Sequence, residues 1–555
     1  MWCGTVGTMP GAAWLRGCIG RGWWWTRPSV LRYGRGPCYC SSNPARRKAG
    51  RPMTDTGTHD PLAGRRSFLG FTIGYWMLNS IEMFERLAYY MVRSVVALYI
   101  MQADDPSGLH FTAAQKGTIY LVWFAFQSVL PTFTGGYADR YGYKKTLFFA
   151  VSLNVAGYLL MATQTSYLGF TLAIVVLATG SAFFKPSLQG SLAQNITPDR
   201  SSMGWGVFYW VVNVGAAIGP ILARFVRSDL GWPPLFYIAA ATMSLNYLLL
   251  FTFKDFASGA NKTDSPIRVL SKTLKNLGDL RLVTWLLIMS CFWLMMYTLW
   301  DLQPNFLTDW NDSQGVARFF LSTPFPDSWT MQTDRGLMVP QEILMNLNAV
   351  LIVLLVIPIS WLVRKLRTLE AMVIGMCMAT AGVLIGGLTT SGGVFLLGVV
   401  GFSLGEMLTG PKKNEYLGLI SPPGKKGLYL GYVNIPVGIG GMVGSKLQGY
   451  FYGHFGEKAV LAQKYLAEHT ERAGSAVWDG SIKTLESVTG VPRTEAFVHL
   501  QDVTGLDATA ATDLLWNTYQ PQYKVWLPFA AIGVGAILAL VVFTWLARRW
   551  NDMNA

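Results

Sequence analysis

The chain is 555 residues long, 51% hydrophobic and only 14% charged. A water-soluble protein of this size carries roughly a quarter charged residues, so a large soluble enzyme or binding domain is set aside. The net charge of +14 does not imply a nucleic-acid partner: residues 1–52 hold nine Arg or Lys and no acid, leaving +5 for the rest. Of six cysteines, Cys3, Cys18, Cys38 and Cys40 fall in that same stretch, and no metal or disulfide spacing emerges.

Residues 1–65 read as a basic arm, disordered or upstream of a true start at Met53, with a transit peptide as the third option. Beyond it, apolar runs recur between polar breaks. Leu282–Trp300, Ala349–Val363, Ala371–Leu388 and Val525–Leu546 are free of acidic and basic residues, and a membrane span needs about 20 such residues. In chain order the runs predict twelve helical spans, near 69–101, 113–138, 145–164, 167–186, 204–226, 233–253, 282–303, 343–364, 370–389, 393–411, 427–452 and 524–547.

Basic residues gather in alternate loops. Arg140, Lys144 and Lys145 follow the second span, Lys254, Lys262, Arg268, Lys272 and Lys275 the sixth, and Arg364, Lys365 and Arg367 the eighth. Lys412, Lys413, Lys425 and Lys426 surround the turn after the tenth, and Arg548 and Arg549 end the last. Cytoplasmic loops are enriched in Lys and Arg, so both termini are expected in the cytoplasm. The longest basic loop, 254–281, divides an N-terminal bundle (66–253) from a C-terminal one (282–547), each of six helices, with 548–555 as a cytoplasmic tail. Two outward inserts are expected at 304–342 and 453–523. In the second, Ala459–Arg472 and Ala508–Tyr519 have helical composition, suiting a small hairpin or cap.

Ionisable groups inside a span are costly and usually face a cavity. The first span holds Glu82, Glu85, Arg86 and Arg93. Glu82 lies three residues before Glu85 and four before Arg86, so the three groups can share a helix face. Two acids and a base in apolar surroundings suit proton exchange, and equally a salt bridge that locks helices.

The run Glu82-Met-Phe-Glu85-Arg86-Leu-Ala-Tyr89-Tyr90-Met-Val-Arg93 resembles the first-helix signature of the proton-dependent oligopeptide transporters, a family of the major facilitator superfamily. Gly135-Gly-Tyr-Ala-Asp139-Arg140-Tyr-Gly142-Tyr-Lys144-Lys145 is similar to the superfamily's loop after helix two, which implies a gating role for Gly135, Asp139, Arg140, Gly142, Lys144 and Lys145. Phe184-Lys185-Pro186, Phe208-Tyr209 with Asn213 and Gly215, Asn348-Ala-Val-Leu-Ile-Val and Gly405-Glu406 resemble the fourth, fifth, eighth and tenth helices.

The resemblance implies an all-α membrane protein of the major facilitator fold and proton coupling through Glu82, Glu85, Arg86 and Lys185. Arg93 and Lys185 would face a peptide carboxylate, and Glu406 and Asn348 its amino group. Tyr89, Tyr90, Tyr209, Asn213 and Tyr297 would complete the substrate site. Leu87 and Met91 differ from the first-helix signature, where Phe and Gly are usual, and four further places depart from the family pattern. Tyr297 stands where helix seven usually carries an acid, with Asp301 one turn later, and Gln127 or Ser128 stands where helix two carries a Tyr. The segment before Pro358 is one residue longer than usual, and Pro411-Lys412-Lys413 adds charge to helix ten.

The expectation is therefore a monomeric multi-pass carrier in a plasma membrane, a bacterial inner membrane suiting the chain. It would import di- or tripeptides or a related zwitterion by alternating access, with the proton as coupling ion and neither cofactor nor metal. Its partners would be the small solute and membrane lipid, not nucleic acid. A carrier or exporter of another small solute, such as an amino acid derivative or drug, stays open. So does a membrane receptor or sensor that uses the 453–523 insert. An enzyme is not expected: His59, His110, His454, His469 and His499 are dispersed, and no nucleophile elbow or phosphate loop is present.

Overall fold

The computed structural model describes residues 67–131, 134, 137–138, 141–197, 200–253, 279–421, 432–470 and 478–549. The expectations for the arm 1–65, for most of the loop 254–281, and for Gly135, Asp139 and Arg140 lie outside the described residues.

Twelve helical spans follow one another among the described residues. The first six are Ile73–Arg93 (resuming as Val96–Met101), Ala113–Val129, Tyr143–Thr163, Tyr167–Ala193, Ser201–Leu230 and Trp232–Thr252. The second six are Leu280–Met296 (resuming as Thr298–Asp301), Gln341–Leu362, Thr368–Gly387, Gly392–Leu419, Asn434–Phe455 and Pro521–Arg549. Nine of these are, among the described residues, long and apolar enough to cross a membrane. The other three have visible reasons for falling short. The first carries four charged residues, the second is described over only 17 residues, and the eleventh contains six glycines.

Local chemistry sets several helix starts. Thr112 accepts from the Gln115 backbone N–H while Gln115 reaches back to Thr112, a reciprocal cap at the second span. Ser166 caps the fourth span through Gly169, and Asp279 caps the seventh through Arg281. Each such cap stabilises its helix by about 1 kcal/mol. Gly142, at the start of the third span, has φ +97°, a conformation that L side chains rarely adopt.

The packing repeats with an offset of six spans. Within the first six, the pairs 3–4, 1–5, 3–6, 1–6 and 2–4 are in contact. Within the second six, their counterparts 9–10, 7–11, 9–12, 7–12 and 8–10 are in contact too. The two bundles meet along 2–11 and along 5–8, which exchange under the same offset. Two structurally related halves around a shared interface are a recurrent carrier architecture.

Two expected helix ends prove to be internal. The fourth span runs past Pro186 to Ala193, and the tenth past Pro411 to Leu419. Lys185 is therefore well inside its helix, and Lys412 and Lys413 lie in the tenth helix rather than in the turn after it. A proline removes one backbone hydrogen bond, but neighbouring helices let a membrane helix continue through it.

The inserts share one end of the molecule, here the insert end, where Trp310 packs against Trp516 and donates to the Gly456 carbonyl; among the described residues Lys144 and Arg548 mark the opposite, basic end. The first insert contains helices Gln303–Trp310 and Gln314–Leu321 and a hairpin pairing Met331–Thr333 antiparallel with Gly336–Met338. The second holds helices Lys458–His469 and Ala508–Tyr519, close to the expected segments, and a further helix, Ala496–Thr504.

Candidate functional site

Glu82, Glu85 and Arg86 are almost fully buried, at 2–3% exposure. Arg86 Nε lies 3.4 Å from Glu82 Oε1, one helical turn back. Its stronger contact is with its sequence neighbour: Arg86 grips both oxygens of Glu85, with Nη2 donating to Oε1 at 2.5 Å. This two-pronged pair matches the planar fork of a guanidinium to a carboxylate. Above it the Arg86 guanidinium lies 4.7 Å from the Tyr89 ring centroid and 5.9 Å from that of Tyr90. The fifth helix can approach so closely because Gly215 faces Arg86: a Cβ there would lie 2.8 Å from Arg86 Cβ. Lys185, partly exposed, is within electrostatic reach of Arg86, Glu85 and Glu82, without an ion pair to either acid among the described residues.

The facing bundle supplies the opposite wall. Glu406 is partly exposed at the middle of the tenth span, and Asn348 donates to its Oε2 at 3.1 Å and to Ser403 Oγ at 3.0 Å. Asn348 is 1% exposed, so it orients the carboxylate from behind. Glu406 lies within electrostatic reach of Tyr90 and Tyr209 across the divide. Tyr209 is 42% exposed although it faces a charged residue of the other bundle, as a group lining a cleft should be. Asn213 donates to the Tyr209 carbonyl at 2.9 Å and braces its own helix. Tyr297, at the break in the seventh span, packs against Phe124 of the second at 4.5 Å between centroids.

Toward the insert end the bundles are stitched together. Arg93 forms an ion pair with Asp301, donates to the Trp300 carbonyl at 3.1 Å, and lies 4.7 Å from the Tyr120 ring centroid. Ser445 donates to the other Asp301 oxygen at 3.2 Å. Lys116 donates to the Asp301 carbonyl at 2.5 Å and to Asn305 Oδ1 at 2.6 Å. Gln102 donates to Asp309 at 2.8 Å, and Arg224 to the Ser328 and Thr330 carbonyls at 3.1 and 3.0 Å. From the second insert, Arg493 pairs with Glu457 and reaches the His110 and Phe111 carbonyls of the first bundle at 2.5 and 3.3 Å. Burial raises the Glu457 carboxyl above its ordinary range, against the pull of Arg493.

The expected residues thus divide. Glu82, Glu85 and Arg86 form one buried cluster under Tyr89 and Tyr90 with Lys185 in electrostatic reach, and Tyr90 and Tyr209 are in electrostatic reach of Glu406. Arg93, expected to face a carboxylate of the substrate, holds Asp301 instead, because that acid sits one turn beyond Tyr297. Lys144 is bound to the Phe253 carbonyl at 2.6 Å, at the basic end. Sequence reasoning missed Lys116, Asn305, Arg224 and Arg493. A signal existed for two of them: Lys116 is a lone charge in the second span and Arg224 lies inside the fifth. Arg493 lies in a polar insert, where its partners could not be inferred.

Two related six-helix bundles, a charged cleft at mid-depth and one stitched end define a two-bundle membrane carrier. The family model of the Major Facilitator Superfamily matches residues 78–445, and the chain belongs to that superfamily. It is 27% identical over 192 residues to the uncharacterized transporter YclF of Bacillus subtilis (strain 168), covering 33% of this chain and 38% of the relative. It is also 27% identical over 184 residues to the di-/tripeptide transporter of Lactococcus lactis subsp. lactis (strain IL1403), covering 32% of this chain and 37% of the relative. The matched segments thus span little more than a third of these relatives. Among solved structures, a peptide transporter POT in complex with sulfate superposes with a TM-score of 0.61 at 15% identity, covering 87% of this chain and 96% of that one. The nucleoside transporter NupG superposes with 0.62 at 11% identity, covering 85% and 99%. The fold is shared equally by the two, so it does not select a solute.

Proposed function

We propose that the chain is a proton-coupled importer of di- and tripeptides, or of a related zwitterion, working as a monomer by alternating access. The observation that carries this reading is the charge arrangement across the cleft. One wall holds the Glu82–Glu85–Arg86 cluster with Lys185 in reach, and the other holds Glu406 oriented by Asn348. A cation on one wall and an anion on the other suit the two ends of a zwitterion. The first-span signature and the peptide-transporter relatives support the same solute class.

In this reading a proton taken up at Glu82 or Glu85 removes a negative charge from within reach of Lys185, leaving that cation to a substrate carboxylate. The basic loops lie in the cytoplasm of a plasma membrane and the inserts outside, following the bias of basic residues. The stitched insert end is then the closed outer gate, and the cleft opens inward. Proton entry draws on the membrane potential, about 2.3 kcal/mol per charge per 100 mV.

The test is uptake of a labelled dipeptide into proteoliposomes. Uptake should rise with an inward proton gradient, and Glu85→Gln should abolish the gradient-driven part while leaving exchange down a substrate gradient. Intact gradient-driven uptake in that variant sinks the coupling role. A failure of every di- and tripeptide to compete transfers the cleft to another solute.

A further inference from the structure

Because the tenth helix continues through Pro411, it brings a second charged residue into the cleft. Glu406 and Lys413 are seven residues apart, two turns on the same helix face and about 10 Å along the axis. Glu406 faces the other bundle, so Lys413 lines the same wall nearer the basic end. Its ammonium lies 4.1 Å from the Trp293 ring centroid and within electrostatic reach of Glu406. Its neighbour Lys412 is engaged elsewhere, paired with Glu415 at 2.9 Å. Lys413 itself has neither ion pair nor hydrogen bond among the described residues, and it stays partly exposed. The Trp293 indole N–H is likewise without a hydrogen-bond partner there.

A partly exposed cation held over an aromatic face, with no ion pair or hydrogen bond among the described residues, is a donor without an acceptor. The fourth and tenth spans are counterparts under the six-span offset, and each carries a lysine near an internal proline, Lys185 immediately before Pro186 and Lys413 two residues after Pro411. Each bundle therefore carries a lysine in the C-terminal part of the corresponding span.

We propose that Lys413 and Trp293 form a subsite for a side-chain carboxylate, so that the carrier favours acidic peptides over neutral ones. This rests on the reading that peptides bind in the cleft with their amino group on Glu406. The test compares Ala-Glu with its isostere Ala-Gln as ligands of the purified full chain, by thermal stabilisation and titration. Ala-Glu should bind about tenfold tighter, the scale of one hydrogen bond to a charged group. In Lys413→Gln the ratio should fall toward one, and Lys413→Arg should retain it. Equal affinities in the wild-type chain overturn the subsite, as does a preference that survives Lys413→Gln. Should that variant not fold, the wild-type ratio decides alone. Binding by neither dipeptide overturns the peptide reading itself, an outcome distinct from equal binding.

Discussion

The first span carries two ion clusters two turns apart, and they are closed in different ways. Glu82, Glu85 and Arg86 neutralise one another within a single helix. Arg93 is neutralised by Asp301, from the seventh span of the other bundle. Both clusters are buried, yet only the second joins the two bundles. The two helices concerned are counterparts under the six-span offset. Each is interrupted next to its charge, the first after Arg93 and the seventh on both sides of Thr298–Asp301. One cluster is thus closed within a single helix, and the other depends on how the two bundles face each other.

The largest break in this contrast should come from Asp301→Asn. Removing one partner of a buried pair costs about 3–5 kcal/mol, here charged only to the state in which the insert end is closed. The population should move toward an open insert end. Spin labels introduced at Ser228 and Ser322 in a cysteine-free background should then show a longer distance, which Glu85→Gln should not produce. An unchanged distribution in Asp301→Asn would mean the pair is not the gate. Arg493→Ala should act in the same direction with a smaller effect, about 1–3 kcal/mol for the lost ion pair and carbonyl contacts. Faster hydrogen exchange over Lys458–His469 would register it, and unaltered exchange there would remove the insert from the gate. The smallest effect belongs to Arg548→Ala. Its pair with Glu370 is 2.7 Å long but 51% and 36% exposed, so the melting temperature should change by no more than corresponds to about 0.5 kcal/mol. A larger loss would mean exposed pairs here count for more than the contrast allows.

Much of the architecture was legible in the residues. Apolar run length located the twelve spans, since the thickness of hydrocarbon leaves few alternatives. The two misplaced helix ends share a cause: Pro186 and Pro411 each read locally as a stop, yet both helices run on. That inference is sound for an isolated helix, but here neighbouring helices carry both spans on. The six-span repeat was invisible in the letters and plain in the packing, because helix contacts depend on which faces meet rather than on residue identity. In the site, the Glu82–Arg86 spacing announced a shared face, while the tighter grip on Glu85 depended on side-chain torsions that spacing does not set. Asp301 stood out only as a departure from a family pattern, and its partner was not readable.

By itself the sequence determined that this protein lives in a membrane, how many times it crosses, and which helix carries the densest charge. Those properties follow from transfer energies and helix periodicity, which act residue by residue. Only the tertiary structure decided that Arg93 binds Asp301, that Asn348 serves Glu406, that the second insert reaches the first bundle through Arg493, and that Lys413 stays without an acceptor among the described residues. Each of these depends on two segments far apart in the chain arriving at one depth and facing each other, and that is fixed by the packing of two bundles rather than by any local run of residues.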